Sequence, residues 1–191
     1  MQDFVHLHVH THYSLLDGQA SVSRLVDKAM KDGMKGIAIT DHGNMFGIKE
    51  FINYVSKKNK GLAPEERFKP IVGCEMYVAR RGKDKREGKQ DLGGWHLIVL
   101  AKNEKGYHNL IKLVSRAWTE GYYMHPRTDR QDLEKYHEGL IVCSACIGGE
   151  VPKKILNGQM EDAEEAVRWY KNLFGEDYYI EIQRHQTTKE G

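Results

Sequence analysis

The stretch 4–18, FVHLHVHTHYSLLDG, constrains this chain more than any other. His6, His8 and His10 alternate with Leu7 and Val9, which places the three imidazoles in one row on one face of a β-strand. Burying such polar rings without partners costs about 1–3 kcal/mol each, so the row calls for a shared partner. Neutral imidazole is the commonest metal ligand, and two on one strand face make half of a site. Phe4, Val5, Leu7 and Val9 make the segment too apolar for a free sheet edge. The expectation is a buried strand over 5–9 that delivers histidines to one end of a core.

Downstream, apolar periods alternate between two and about 3.6 residues. Val22, Leu25, Val26, Ala29 and Met30 predict a helix, with Ser21 as N-cap and Gly33 as its stop. A short strand over 36–40 closes on Asp41, His42 and Gly43, and Ile48, Phe51, Ile52 and Val55 line a second helix. A third strand runs over 70–79, followed by the charged insertion RRGKDKREGKQDLGG. A fourth strand spans 95–101. Tyr107, Leu110, Ile111, Val114 and Trp118 mark a third helix, and 121–138 reads as irregular. A fifth strand spans 140–143. A short helix over 151–156 and a clearer one through Ala163, Ala166, Val167, Tyr170 and Leu173 lead to a sixth strand over 178–182. Such strand–helix alternation predicts an α/β fold with a mostly parallel sheet, either open and doubly wound or closed into a barrel. The absence of GxGxxG and of a P-loop lysine after any strand disfavours nucleotide-cofactor versions.

The chain has 191 residues, 29 Lys plus Arg against 27 Asp plus Glu, a balance that neither demands nor forbids nucleic acid. No run approaches the roughly 18 apolar residues of a membrane span, and no charged-then-apolar leader precedes Phe4. A cytoplasmic protein with no membrane partner is therefore expected. The three cysteines, Cys74, Cys143 and Cys146, make no disulfide framework and are too few for a four-thiolate zinc site. CSAC is formally a C-x-x-C, but it closes a late strand instead of opening an early helix, which argues against a redox pair.

In parallel α/β folds, sites form at the carboxyl ends of strands. His8 and His10 stand at the exit of the first strand, with Asp17 in the loop above and His6 deeper, as a supporting or core residue. His42 stands at the exit of the second strand. Glu75 interrupts the apolar run IVGCEMYV, and Cys146 lies just past the fifth strand. His96 opens its strand; for it to join the others, the strand over 95–101 must run antiparallel to its neighbours. Such a mixed N/O/S set suits Zn²⁺, with Mn²⁺ or Fe²⁺ as alternatives, and suits phosphoester hydrolysis. Asp41 is placed to orient a ligand imidazole from behind. His185 and Arg184, at the end of the sixth strand, are candidates to contact substrate phosphate. His108, His125 and His137 read as solvated. The six basic residues between Arg80 and Asp91 read first as a solvated, flexible loop and second as an arm along a nucleic-acid backbone; without aromatics, the arm does not support base recognition.

The motifs LHVHT, TDHG, VGCEMYV, WHLIVLAKN and CSACIGGEVP together resemble the PHP (polymerase and histidinol phosphatase) superfamily of metal-dependent phosphoesterases. SLLDG, NEKGYHNLIKLVSRAWTEGYY and SACIGGEVP resemble, within it, the N-terminal PHP domains of bacterial replicative DNA polymerases of the polymerase III α type. The resemblance covers essentially the whole chain. It implies a distorted (β/α)7 TIM-like barrel with up to three divalent metals. Metal-ligand roles fall on His8, His10, Asp17, His42, Glu75, His96 and Cys146, with Asp17, His42 and Glu75 as catalytic candidates. It further implies 3′–5′ exonuclease chemistry on single-stranded DNA ends, in a longer protein that carries polymerase domains and meets other replisome subunits. Two departures stand out: His12 occupies a position where an acidic or amide residue is usual, and the family's closing Asp-x-His pair is absent. The chain is accordingly expected to be an incomplete PHP domain, weakly active or inactive alone, with an unpaired edge that invites self-association. The rival readings are a stand-alone phosphatase for a small phosphomonoester and a non-catalytic, metal-stabilised structural domain.

Overall fold

The computed structural model describes residues 4–184. Six strands form one mixed sheet in the order β1-β2-β3-β5-β6, with β4 pairing β2 outside that path. The strands are β1 (Gly36–Ile39), β2 (Lys69–Val78), β3 (Trp95–Ala101), β4 (Arg127–Thr128), β5 (Leu140–Cys143) and β6 (Tyr178–Tyr179). β1 and β4 lie parallel to β2, and β6 lies parallel to β5. β3 runs antiparallel to both β2 and β5, the direction that His96 required. The sheet is therefore more evenly mixed than the alternation suggested.

Helices α1 (Val22–Lys31), α2 (Ile48–Lys58), α3 (Glu104–Thr119), α4 (Arg130–Tyr136), α5 (Glu150–Leu156) and α6 (Met160–Phe174) cover the sheet. α1 and α2 pack Val26, Phe51 and Val55 against Ile37 and Ile39. Leu110 and Leu113 of α3, Leu133 of α4 and Tyr170 of α6 pack against Leu97, Val99 and Val142. A smaller cluster of Ala38, Ile98, Leu100 and Cys143 forms separately from these two. Gly33, at φ +78°, ends α1 as expected, whereas Ser21 takes the N-cap backbone conformation without a side-chain capping bond.

The structure corrects several expectations. The segment 5–9 runs parallel beside β1 without completing a regular ladder. Ala38 N–H donates to the His6 carbonyl at 2.9 Å and Thr40 N–H to the Val9 carbonyl at 2.8 Å, three residues matched against two. Val9 N–H goes instead to Thr40 Oγ1 at 2.8 Å. That bulge breaks strict alternation, leaves Phe4 58% exposed and separates His6 from the row of His8 and His10. On α3 the buried stripe is Leu110, Leu113, Val114 and Ala117, while Tyr107, Ile111 and Trp118 are partly exposed. Only Tyr178 and Tyr179 of the expected sixth strand are paired, and Ile182 is exposed.

The stretch 121–138 holds β4 and α4. Asp129 caps α4 by accepting from Asp132 N–H at 3.0 Å, and Arg127 is fully buried. Its guanidinium donates to the carbonyls of Gly121, Asp91 and Lys83 at 3.0, 2.9 and 2.9 Å. The charged insertion is thus folded around Arg127, with Asp91 buried and held by Arg81 at 2.9 and 2.6 Å. The two sheet edges approach each other through side chains, His8 Nδ1 lying 2.8 Å from Glu181 Oε1. No helix among the described residues is long and apolar enough to cross a membrane.

Candidate metal centre

β2 changes partners along one edge, from β1 at residues 69–72 to β4 at 77–78. Residues 41–43 fill the gap: Glu75 N–H donates to the Asp41 carbonyl at 3.1 Å, and Gly43 N–H to the Glu75 carbonyl at 2.8 Å. That exchange sets the His42 side chain beside Glu75. Cys74, Met76 and Val78 alternate into the main core, so Glu75 and Tyr77 face the opposite side of the strand.

Glu75 is 1% exposed, and four imidazoles surround it. His10 Nε2 lies 3.0 Å and His42 Nδ1 2.8 Å from Oε2; His8 Nε2 lies 3.4 Å and His96 Nδ1 2.8 Å from Oε1. Cys146 Sγ lies 3.6 Å from His96 Nδ1 and 3.7 Å from Glu75 Oε1. Asp17 Oδ2 lies 2.5 Å from His42 Nε2, at the exposed mouth. All seven candidate ligands are therefore contiguous. Two triads, His8–His10–Glu75 and His42–Glu75–His96, have donor atoms within 4.8 Å of one another.

Two glycines make this geometry accessible. A Cβ on Gly18 would meet the Thr11 carbonyl oxygen at 1.9 Å, so only glycine lets the turn carrying Asp17 fold back. A Cβ on Gly148 would lie 2.9 Å from His96 Nδ1, in the space the ring occupies.

Burial alone would neutralise Glu75; the surrounding imidazoles of His10, His42, His8 and His96 outweigh that and hold its carboxyl far below the usual range. Burial likewise opposes charge on His8, yet Glu181 and Glu75 raise its pKa to about 10. Cys146 and Glu75 raise His96 to about 9 against burial, and His96 in turn lowers the Cys146 thiol. For His42, burial is outweighed by Glu75 and Asp17, and its pKa is raised. Burial pushes the Tyr77 hydroxyl up to about 12, with Glu75 adding to the shift, so it stays protonated.

The donor set fits divalent cations. His42 Nδ1 and Glu75 Oε2 are buried 2.8 Å apart, yet neither has a hydrogen-bond partner among the described residues. The Nε2 atoms of His8 and His10 face each other at 3.3 Å, about the separation of two nitrogens on a tetrahedral ion with 2.0–2.1 Å bonds.

Other expected residues fall outside this cluster. His6 is exposed, its ring edge-on to Phe4. Asp41 contacts Thr11 and Ser14, not the His42 ring; Ser14 carries its influence to His10. Arg184 is exposed, and His185 lies outside the described residues. His12 is exposed against Tyr13. His125 is exposed but packs over Tyr77 at 4.6 Å, on the rim of the cluster. Cys143 packs with Ala38 and Ile98 while Cys146 faces His96, so the two thiols of CSAC have different surroundings.

Sequence reasoning missed Ser14, Thr11, Tyr77 and Glu181. Glu181 takes the Nδ1 side of His8, the carboxylate–imidazole arrangement common behind metal-binding histidines. The only signal was its place at a strand end, in IEIQ.

A family model described as PHP domain matches residues 6–185. DNA polymerase III subunit alpha of Borreliella burgdorferi is 51% identical over 184 residues, which are 95% of this chain and 15% of that protein. The protein of the same name from Treponema pallidum is 47% identical over 98% of this chain and 16% of its own length. The chain thus spans about a sixth of these relatives. Among solved structures, an amidohydrolase from Chromobacterium violaceum aligns over 83% of this chain and 74% of its own, at 14% identity and a TM-score of 0.47.

Proposed function

Since this chain belongs to the PHP domain family, we propose that it is the metal-binding phosphoesterase module of a replicative DNA polymerase α subunit. The observation that carries the reading is a buried carboxylate, Glu75, ringed by four imidazoles with a thiol and a second carboxylate at its margin. His8, His10, Asp17, His42, Glu75, His96 and Cys146 would hold up to three divalent ions, Zn²⁺ suiting the mixed donors best and Mn²⁺ or Fe²⁺ serving as alternatives. The approach of His8 to Glu181 supports a distorted (β/α)7 barrel, with residues 1–191 as part of the domain and an Asp-x-His pair completing its ligands in a longer chain.

Bound there, such ions would stabilise charge on phosphoryl oxygens and ease deprotonation of water. Glu75 links the two triads and fixes their spacing. Asp17, at the exposed mouth and in contact with His42, is placed to take a proton from an attacking water. The Tyr77 hydroxyl, protonated at neutral pH, is able to donate a hydrogen bond, and its ring packs against the His42 and His96 imidazoles. In the whole protein, the substrate class is the 3′ end of single-stranded DNA, and the remaining partners are the polymerase domains and other replisome subunits.

The test is metal content together with digestion of 3′-labelled single-stranded DNA, for the whole polymerase subunit and for its variant carrying His8→Ala and His10→Ala. The reading expects the variant to lose both metal and nuclease activity. Metal loss that lowers stability, with no nuclease activity in either protein, would instead identify a structural metal domain. Hydrolysis of small phosphomonoesters but not DNA would identify a stand-alone type of phosphatase chemistry.

A further inference from the structure

We propose that Asp41 and Ser14 are positioning residues that lock His10 with its proton on Nδ1, so that its bare Nε2 faces into the cluster. The inference rests on the reading of His10 as a metal ligand. Asp41 is 1% exposed and Ser14 equally buried. The Asp41 carboxylate receives Thr11 N–H at 2.7 Å, the Thr11 hydroxyl at 2.8 Å and the Ser14 hydroxyl at 2.6 Å. A carboxylate accepts and does not donate, and a serine hydroxyl has one proton. The Ser14 proton is therefore committed to Asp41.

Two lone pairs remain on Ser14 Oγ. The backbone N–H of His42 takes one at 3.1 Å, and the other faces His10 Nδ1 at 2.8 Å. Ser14 has no proton left for that contact, so His10 must supply it. A neutral imidazole has a single N–H; with Nδ1 protonated, Nε2 carries a lone pair. That atom is the one 3.0 Å from Glu75 Oε2 and 3.3 Å from His8 Nε2. The relay thus removes the tautomeric choice that an imidazole has in water. It also ties the loop carrying His42 to the segment carrying His10, because both donate to the same oxygen.

The tautomer can be read directly from long-range ¹H–¹⁵N correlation spectra of the metal-free chain at mildly alkaline pH, with Zn²⁺ affinity measured against a competing chelator. The wild-type chain should show a protonated Nδ1 and a bare Nε2 on His10. Ser14→Ala should move the proton toward Nε2 and weaken Zn²⁺ binding by about 10–100-fold, the usual cost of losing a partner behind a metal ligand. Asp41→Ala provides a second variant, because it removes the oxygen, Oδ1, that takes both the Ser14 hydroxyl proton and the Thr11 N–H, and so frees that proton to turn toward His10, with the same expected flip. A folded variant that keeps the proton on Nδ1 and binds Zn²⁺ within about twofold of wild type overturns the relay. So does a wild-type spectrum with the proton on Nε2, whatever the variants do. Unchanged Zn²⁺ affinity in His10→Ala would remove His10 from the ligand set and sink the functional reading, while the metal-free spectra would still judge the relay.

Discussion

His8 and His96 have pKa values raised to about 10 and 9, so in the metal-free chain at neutral pH both imidazoles are charged. A metal ligand must present a lone pair, so loading displaces those protons. The direction follows: protonation competes with the metal below these pKa values, and apparent affinity should rise as pH climbs from 7 through about 9 and level off near 10. Calorimetry of Zn²⁺ binding in buffers of different ionisation enthalpy should show net proton release at neutral pH; an affinity flat across that range would contradict the placement of both residues as ligands. The ligand types were legible in the sequence because a polar side chain in an apolar strand is costly to bury without a specific partner. Ser14 and Glu181 were not, because a serine in a turn and a glutamate near a strand end are ordinary until their distances to His10 and His8 are known.

At the scale of elements, the antiparallel direction of β3 was readable from one residue, since His96 reaches the site only if the strand returns toward it. β4 and α4 were not readable. Their stretch has little apolar period, and a tertiary anchor, the buried Arg127, takes over from local pattern. Arg127→Met should be destabilising by about 3 kcal/mol or more, because three carbonyls, two of them in buried contacts, lose a charged donor at once. Denaturant unfolding of wild type and variant measures this directly. Protection of the 80–94 backbone amides from hydrogen exchange should fall with it, since the insertion closes on that guanidinium. A loss of less than about 1 kcal/mol would mean that the insertion holds its shape without Arg127.

The whole sheet shows why the first strand is less buried than its apolar pattern suggests. Its edge is covered by side-chain contacts across the opening instead of a full backbone ladder, and a hydrophobic pattern does not distinguish the two. The ligands come from widely separated parts of the chain: His8, His10 and Asp17 near the start, His42 and Glu75 on the β1–β2 side, His96 on β3 and Cys146 after β5. Ions held by that set would cross-link elements that the ladder joins only in part, so loading should stabilise the folded state as a unit. With free Zn²⁺ at a hundred times its dissociation constant, linkage gives about 2.7 kcal/mol for one site. For a domain of this size that corresponds to a rise in Tm of roughly 5–10 °C. Thermal unfolding of the chain with Zn²⁺ and with EDTA should show this difference, and His8→Ala with His10→Ala should reduce it. An equal Tm in both conditions, despite demonstrated binding, would mean that the metal binds folded and unfolded chains alike and does not hold the sheet edges together.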